Sequence, residues 1–259
     1  MAFTDSKERF SSRVADYVRY RPGYPPALLD LLRRECGLGP RHVVADVGSG
    51  TGLLARLFLE HGNRVLGIEP NADMRAAGEQ VLSGYAAFSS VAGSAEATTL
   101  RASSVDFVAA GQAFHWFEPA GARAEFSRIL RPGGWVVVVW NDRRIGETAF
   151  GRAYEELLLR YGSDYAEVKD AYPEAQDMEA FFGPGNVARR ELQNFQEFDR
   201  EGLEGRLRSS SYAPGEGHAN YRPMMAAARE LFSTTQDRGR VRMDYTTQVY
   251  LGRLPGSAP

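Results

Sequence analysis

Ten residues, VVADVGSGTG at positions 43–52, carry an apolar strand pattern into three alternating glycines. A helical pattern begins directly afterwards, at Leu53. Glycine permits positive φ and lets a ligand approach the backbone closely, and the first turn of a helix offers free N–H groups. The stretch therefore predicts a strand, a turn and a helix that bind a nucleotide-like ligand. The alternative is a tight turn with a purely structural role.

Two acidic residues accompany this turn. Glu69 ends the next strand pattern, where a carboxylate can accept both hydroxyls of a ribose. Asp46 precedes the glycines, and its charge would repel a pyrophosphate but attract an ammonium group. The glycine spacing also differs from the Gly-x-Gly-x-x-Gly of dinucleotide sites, and no Gly-Lys-Ser/Thr of a P-loop follows. We therefore expect an adenosine-containing cofactor.

The wider pattern around the turn indicates the fold. Between residues 41 and 141, short β-branched runs alternate with helical stretches, which is typical of βαβ units. The run Val136–Val139 is apolar on both faces, as expected for a central parallel strand. The alternation from Val241 to Leu251 predicts an antiparallel strand near the C-terminus. We predict a doubly wound α/β fold with a mostly parallel seven-stranded sheet and helices on both faces.

A chain of 259 residues can bury a core of normal size without disulfides or metal. We predict a single domain, 1–259, made of several consecutive parts. These are an N-terminal helical cap at 1–40, a cofactor-binding core at 41–141, a lid-like insertion at 142–186, closing strands and helices at 187–253 and a tail at 254–259.

Composition excludes or disfavours several classes of function. With 31 Lys+Arg against 33 Asp+Glu, the chain lacks the overall positive charge of nucleic-acid-binding proteins, which disfavours nucleic acid as the main partner but leaves a local basic patch open. Cys36 is the only cysteine, which excludes an intramolecular disulfide and a cysteine-cluster metal site. The longest strongly apolar run, Trp135–Trp140, is far too short to cross a membrane, and no signal-peptide pattern opens the chain. We expect a cytoplasmic protein without a nucleic-acid or membrane partner; its oligomeric state has no signature in the sequence.

Four motifs follow one another in order: Asp46–Gly52, Gly67–Met74, Gly93–Glu96 and Leu130–Gly134. Together they resemble the motifs of class I S-adenosylmethionine-dependent methyltransferases. A weaker resemblance extends to Tyr17–Pro25 and the C-terminal strand, where the chain looks like small-molecule methyltransferases related to the trans-aconitate enzyme. The resemblance implies methyl transfer from S-adenosylmethionine, which leaves S-adenosylhomocysteine, to a small molecule. An oxygen of a carboxylate or hydroxyl is the preferred acceptor atom.

The same resemblance implies roles for individual residues. It places the cofactor against Arg21, Asp46, Gly48, Gly50, Gly52, Glu69, Pro70, Met74, Ser94, Ala95 and Gln112. Asp46 would face the ammonium group of the cofactor and Glu69 its ribose, while the Arg21 guanidinium suits the methionine carboxylate. Ser94 stands where relatives often carry Asp, so its bond to the adenine amino group would be weaker.

The acceptor site is predicted in the aromatic segment Ala110–Glu118, after the fourth strand pattern, because ligands of open parallel sheets lie beyond the carboxyl ends of the strands. The resemblance places His115 and Trp116 beside the acceptor, and we add Tyr20 of the cap as a third substrate-binding residue. His115 is the candidate catalytic base for a phenol, alcohol or amine, whereas a carboxylate needs none. The alternative is that His115 and its aromatic neighbours only stabilise the loop.

No grouping of Asp, Glu and His at metal-ligand spacing occurs near this segment, so we expect no metal. Two other functions are compatible with the sequence. One is a nicotinamide-dependent oxidoreductase on a related fold, and the other is a noncatalytic protein that binds S-adenosylmethionine.

Overall fold

The computed structural model describes residues 14–166 and 175–255. A seven-stranded sheet forms its centre, with strands β1 (Val43–Val47), β2 (Arg64–Ile68), β3 (Phe88–Val91), β4 (Val105–Gly111), β5 (Leu130–Arg143), β6 (Val187–Phe198) and β7 (Val241–Gly252). Their order across the sheet is β3-β2-β1-β4-β5-β7-β6. Strands β1 to β5 pair in parallel, and β7 lies antiparallel between β5 and β6. The predicted fold class is confirmed.

Helices surround this sheet. They are α1 (Val14–Tyr20), α2 (Ala27–Cys36), α3 (Leu53–Glu60), α4 (Ala72–Val81), α5 (Pro119–Ile129), α6 (Ala149–Tyr161), α7 (Ala175–Phe182), α8 (Arg200–Arg208) and α9 (Tyr221–Thr235). The start of α4 is fixed by Asn71, whose side chain accepts hydrogen bonds from the N–H groups of Asp73 and Met74. This cap holds the end of β2 against the first turn of the helix.

The valines of β5 connect the two layers of the core. Val136–Val139 are at most 1% exposed, and successive side chains point to opposite faces of the sheet. The even-numbered pair packs in one cluster with Phe126 of α5 and Phe182 of α7. The odd-numbered pair packs in a second cluster with Leu32 of α2 and Phe58 of α3. Burial on both faces explains why this strand carries no polar alternation.

Strand β5 is longer than the pattern predicted. It begins directly after α5, and its pairing with β4 shifts register between Val105 and Phe107. The Arg131–Gly134 segment forms this irregularity, with Gly133 at φ 77°. The pattern at 187–198 did not decide between helix and strand; it is β6, whose residues pair with β7 over the whole strand.

The part at 142–186, predicted as a lid-like insertion, contains two helices with different neighbours. Helix α6 packs with α9 and β7 around Tyr154, Met224 and Met243. Helix α7 instead packs against α5, and its Phe181 belongs to the core of the sheet. Residues 167–174 of this part, 1–13 of the predicted cap and 256–259 of the predicted tail lie outside the described residues.

Within the described ranges, none of the helices combines the length and the apolar character that crossing a lipid bilayer requires.

Replacing Phe126 by Ala tests the layer between α5 and the sheet. The side chain is fully buried, so Phe126→Ala should lower the free energy of unfolding by about 3–5 kcal/mol. Leu159→Ala removes a side chain that is 59% exposed and should change it by less than about 0.5 kcal/mol. Guanidinium chloride denaturation followed by circular dichroism measures both, and equal losses would contradict this packing.

Candidate active site

A cleft of about 280 Å³ opens at the carboxyl ends of the parallel strands. The predicted cofactor residues in its wall are Gly48, Gly50, Glu69, Pro70, Met74, Ser94, Ala95 and Gln112. Trp116, predicted to bind substrate, also lines it. Residues far apart in the sequence therefore meet at the sheet edge where an open α/β fold binds its ligands.

Gly48 and Gly50 of the glycine turn line this cleft, and the conformation of the turn disfavours larger residues. Gly48, Gly50 and Gly52 have φ values of 69°, 54° and 85°, a region that residues with a Cβ rarely adopt. A Cβ at Gly48 would also lie 2.6 Å from the Cβ of Ala113. Gly52 does not line the cleft; its Cα faces Leu82, 2.5 Å from where a Cβ would stand.

Glu69 joins this turn to the end of β2. Its Oε2 accepts a hydrogen bond from Gly50 N at 2.9 Å, and its Oε1 accepts one from Asn71 N at 2.9 Å. Burial raises the pKa of this carboxyl, and the two backbone N–H groups partly offset that effect. Because a carboxylate has about four acceptor positions, each oxygen keeps one for a ligand in the cleft.

Asp46 is a buried carboxylate two residues before the turn, and it does not itself line the cleft. It is 1% exposed, and neither side-chain oxygen makes a well-formed hydrogen bond with the described residues. Burial raises its pKa to about 7, the Ala55 N–H lowers it somewhat, and the charge of Glu69 raises it. Buried polar atoms are nearly always satisfied, so this carboxylate suits a ligand that brings a positive charge.

The segment after β4 places Gln112 between the cleft and the sheet. Gln112 has φ 55°, unusual for a residue with a side chain. Its N–H donates to Val139 O at 3.0 Å, and its Oε1 accepts from Asn141 N at 2.7 Å. Both bonds run to β5, so the side chain is held in one position at the cleft wall.

His115 is the predicted site residue whose position differs most from expectation. It does not line the cleft but faces a separate hollow beside Arg123 and Phe181. Its ring packs against Trp116 at 4.4 Å and Trp140 at 5.0 Å between centroids. Burial lowers its pKa to about 4. The structure therefore places His115 behind Trp116, on the side away from the cleft.

Two residues of the cap, Tyr20 and Arg21, also lie outside the cleft wall. The Tyr20 hydroxyl donates to Glu201 Oε1 at 3.1 Å, so the ring faces α8. Arg21 donates from Nη2 to Ser209 O at 2.8 Å and lines a smaller neighbouring cavity. The structure brings Tyr17 of the same motif to the cleft instead.

Six residues of the cleft wall were not among the predicted site residues: Tyr17, Asn71, Glu96, Gly111, Ala113 and Phe117. The first three lie inside the motifs that carry the resemblance, and the other three lie in the predicted acceptor segment Ala110–Glu118. The segments that carry them were therefore visible in the sequence. The direction of their side chains was not, because it depends on how the loops pack.

Among the described residues, no group of three or more His, Cys, Asp or Glu side chains could hold a metal ion.

Asp46 predicts a pH dependence of stability in the ligand-free protein. A carboxyl with a folded pKa of about 7 and an unfolded one of about 3.9 stabilises fully below pH 4, and this contribution is lost as the pH rises through 7. Asp46→Asn should therefore be more stable than wild type at pH 8, by on the order of a few kcal/mol, with the difference vanishing at pH 4.

Urea denaturation between pH 4 and pH 8 measures this difference. Glu69 contributes a slope of the same sign, so some pH dependence remains in the variant. Asp30→Asn, at an exposed carboxylate, should follow the wild-type curve. Identical curves for Asp46→Asn and wild type would contradict the burial of this charge.

Comparison with known proteins shows what the core is similar to. Residues 45–138 match a family model described as a methyltransferase domain, Methyltransf_11. An uncharacterized methyltransferase of Mycobacterium tuberculosis is 38% identical over 164 residues, covering 61% of this chain and 62% of that protein. One of Schizosaccharomyces pombe is 31% identical over 135 residues, covering 52% and 53%. The chain thus matches little more than half the length of these relatives.

Solved structures share the fold at low sequence identity. A putative type II methyltransferase from Anaeromyxobacter dehalogenans aligns with TM-score 0.66 and 22% identity, over 91% of this chain and 99% of that one. An N-methyltransferase of Haemonchus contortus, in complex with phosphomonomethylethanolamine and S-adenosylhomocysteine, aligns with TM-score 0.58 and 15% identity, over 98% and 59%. Residues 45–138 are therefore similar to a methyltransferase domain, and the chain shares the fold of these two structures.

Proposed function

We propose that this protein transfers a methyl group from S-adenosylmethionine to an oxygen of a small molecule, a carboxylate or a hydroxyl. One observation carries the proposal: the glycine turn lies between two buried acids with unused acceptor positions, Glu69 at the cleft wall and Asp46 behind it. A donor with ribose hydroxyls and an ammonium group satisfies both carboxylates, whereas a dinucleotide would bring a pyrophosphate towards Asp46.

Different residues of the cleft would bind different parts of this donor. Glu69 would accept the ribose hydroxyls, and Gly48 and Gly50 would leave room for the amino-acid portion. Pro70 and Met74 form an apolar wall for the adenine. The polar edge of the adenine would contact Ser94 and Ala95. When bound, the donor supplies a methyl group activated by its sulfonium.

The chain's own task in the reaction is alignment and exclusion of water. Methyl transfer from a sulfonium is an in-line displacement, which gains most from a fixed geometry in a dry site. Gln112 is held to β5 by two hydrogen bonds, and Trp116 and Phe117 add apolar surface to the wall. A carboxylate acceptor needs no proton removed, which agrees with a wall that contains no histidine among the described residues.

Support for a small acceptor comes from the size of the cleft and from charge. A cavity of about 280 Å³ is close to the lower end of the size range of small-ligand sites, and the net charge of −2 gives no general attraction for nucleic acid. The resemblance to the trans-aconitate type, the cytoplasmic location and the absence of nucleic-acid or membrane partners stay predictions.

Binding of S-adenosylhomocysteine tests the donor site. Glu69→Gln replaces one acceptor oxygen by an NH₂ donor, which would face the backbone N–H of Gly50 or Asn71. The affinity for S-adenosylhomocysteine should therefore fall by roughly 10- to 100-fold. Glu79→Gln, at an exposed position of α4, should bind as the wild type does. Isothermal titration calorimetry measures both, with NAD as the comparison ligand.

The same protein, incubated with methyl-labelled S-adenosylmethionine and a fractionated small-molecule extract, should yield a labelled ester or ether. Tight binding of NAD without binding of S-adenosylhomocysteine would instead establish the oxidoreductase. Binding of S-adenosylhomocysteine without any labelled product would favour the noncatalytic protein.

The position of His115 predicts a mild effect of its replacement on turnover. Behind Trp116 it acts through packing, so His115→Phe should retain turnover to within about threefold, whereas removing a general base costs about 100-fold or more. Trp116→Ala, which opens the cleft wall, should reduce turnover further than His115→Phe does. Initial rates with the labelled donor decide the question, and a 100-fold loss in His115→Phe would restore its predicted role as the base.

A further inference from the structure

A second cavity, of about 50 Å³, adjoins the cleft. Tyr17 and Gln112 belong to the walls of both, so the two spaces are neighbours across these side chains. The rest of its wall contains three arginines from distant parts of the chain: Arg21 after α1, Arg143 at the end of β5 and Arg206 in α8. The fold therefore concentrates positive charge directly beside the proposed methyl-donor site.

Each of these guanidinium groups is fixed by one hydrogen bond and keeps another donor unused. The bonds are Arg21 Nη2 to Ser209 O at 2.8 Å, Arg143 Nη2 to the Tyr165 hydroxyl at 2.6 Å and Arg206 Nη1 to Ser210 Oγ at 2.9 Å. Arg21 Nε, Arg143 Nη1 and Arg206 Nε are buried and make no hydrogen bond with the described residues. Such donors are costly to bury unless a ligand accepts from them.

The charge of this cluster is not balanced within the described residues. Arg206 is 3% exposed, and the Arg143 side chain is 14% exposed. Glu155 is the one acid in those residues that pairs with any of the three, with Oε2 3.8 Å from Arg143 Nη2. Arg206 thus has no acidic partner among these residues although it is buried, and the half-buried Arg21 has none either. Proteins tolerate a buried charge when a partner of opposite charge is bound.

Tyrosines surround the cluster but cannot supply that opposite charge at neutral pH. The Arg143 guanidinium lies 5.3 Å from the ring centroid of Tyr154 and 5.9 Å from that of Tyr212, so both rings stabilise it through their faces. Burial raises the pKa of Tyr212, but the charges of Arg143, Arg206 and Arg21 outweigh it and bring the pKa down to about 8. The lowered pKa of Tyr212 thus reports the positive potential that an anion entering this cavity would meet.

We propose that this cavity is an anion subsite for the methyl acceptor, in which Arg143 and Arg206 bind a carboxylate of a small organic acid. Two planar guanidinium groups match the geometry of a carboxylate. An ordered water needs roughly 10–15 Å³ of such space, so about 50 Å³ holds a carboxylate rather than a whole molecule. This inference rests on the proposed methyl transfer, since it gives the substrate class of that reaction.

A carboxylate could reach the cavity from two sources, because the donor's methionine portion carries one as well. Arg21 is the residue that the resemblance assigns to the donor carboxylate. Arg143 and Arg206 are left over from that role, and together they exceed what one carboxylate of the donor requires. This excess of positive charge favours the acceptor as the source of the carboxylate.

The test compares acetate with acetamide, which has nearly the same shape but no charge, as probes of protein loaded with S-adenosylhomocysteine. Acetate should raise the melting temperature of the wild type saturably, and acetamide should not. The apparent acetate affinity should fall at least tenfold in Arg143→Gln and in Arg206→Gln. Arg229→Gln, at an exposed arginine of α9, is the matched control and should respond as the wild type does.

Calorimetry of S-adenosylhomocysteine with the same variants separates the two sources. Affinities within threefold of wild type would support the acceptor as the source. Competition between acetate and S-adenosylhomocysteine, with affinity for the latter lost in both variants, would assign the carboxylate to the donor and overturn the proposal. Equal responses of the wild type to acetate and acetamide would also overturn it, and this comparison needs no variant to fold.

Failure of the proposed function would have a different signature. S-adenosylhomocysteine would then not bind the wild type at all, while the acetate response of the unloaded protein would still report on the arginine cavity. In the labelled-methyl assay, the product should form from the extract fraction that an anion-exchange resin retains. Product from the unretained fraction alone would contradict an organic acid as the acceptor.

Discussion

The site depends on one carboxylate, that of Glu69, which accepts hydrogen bonds from two backbone N–H groups of different loops. One belongs to Gly50 in the turn after β1, and the other belongs to Asn71 at the start of α4. The side chain thus links the turn after β1 to the end of β2. It acts together with the N–H groups of Gly48 and Ser49, which donate to Ile68 O at 2.8 and 3.0 Å.

Much of the fold could be predicted because its signals are local. The glycine turn, the Val136–Val139 run and the alternation in β7 each depend on neighbouring residues and a single periodicity. The same holds for the cleft residues that lie directly after a strand, such as Glu69. The β6 pattern was ambiguous, because its face towards solvent is largely polar and its pairing with β7 is a long-range choice.

Side-chain direction in loops could not be predicted in the same way. His115 and Trp116 are adjacent, yet the short helical turn Phe114–Trp116 points one away from the cleft and the other into it. Arg143 and Arg206 lie 63 positions apart, yet they line the same cavity. Helix α8, which carries Arg206, is positioned by its packing against α1, α9 and β6. No period or motif connects the two arginines, so the positive cavity became visible only in three dimensions.

The amide groups of Asn141 and Asn194 both donate to the carbonyl oxygen of Gly23, at 3.2 and 2.9 Å. Asn141 in turn accepts a hydrogen bond from Thr247 at 2.6 Å. The chain between α1 and α2 is thus tied down by two strands of the sheet. Moving this segment away from the sheet would break both hydrogen bonds to Gly23 O. Entry of a ligand through the open side of the cleft therefore requires less rearrangement than a hinged movement of the segment.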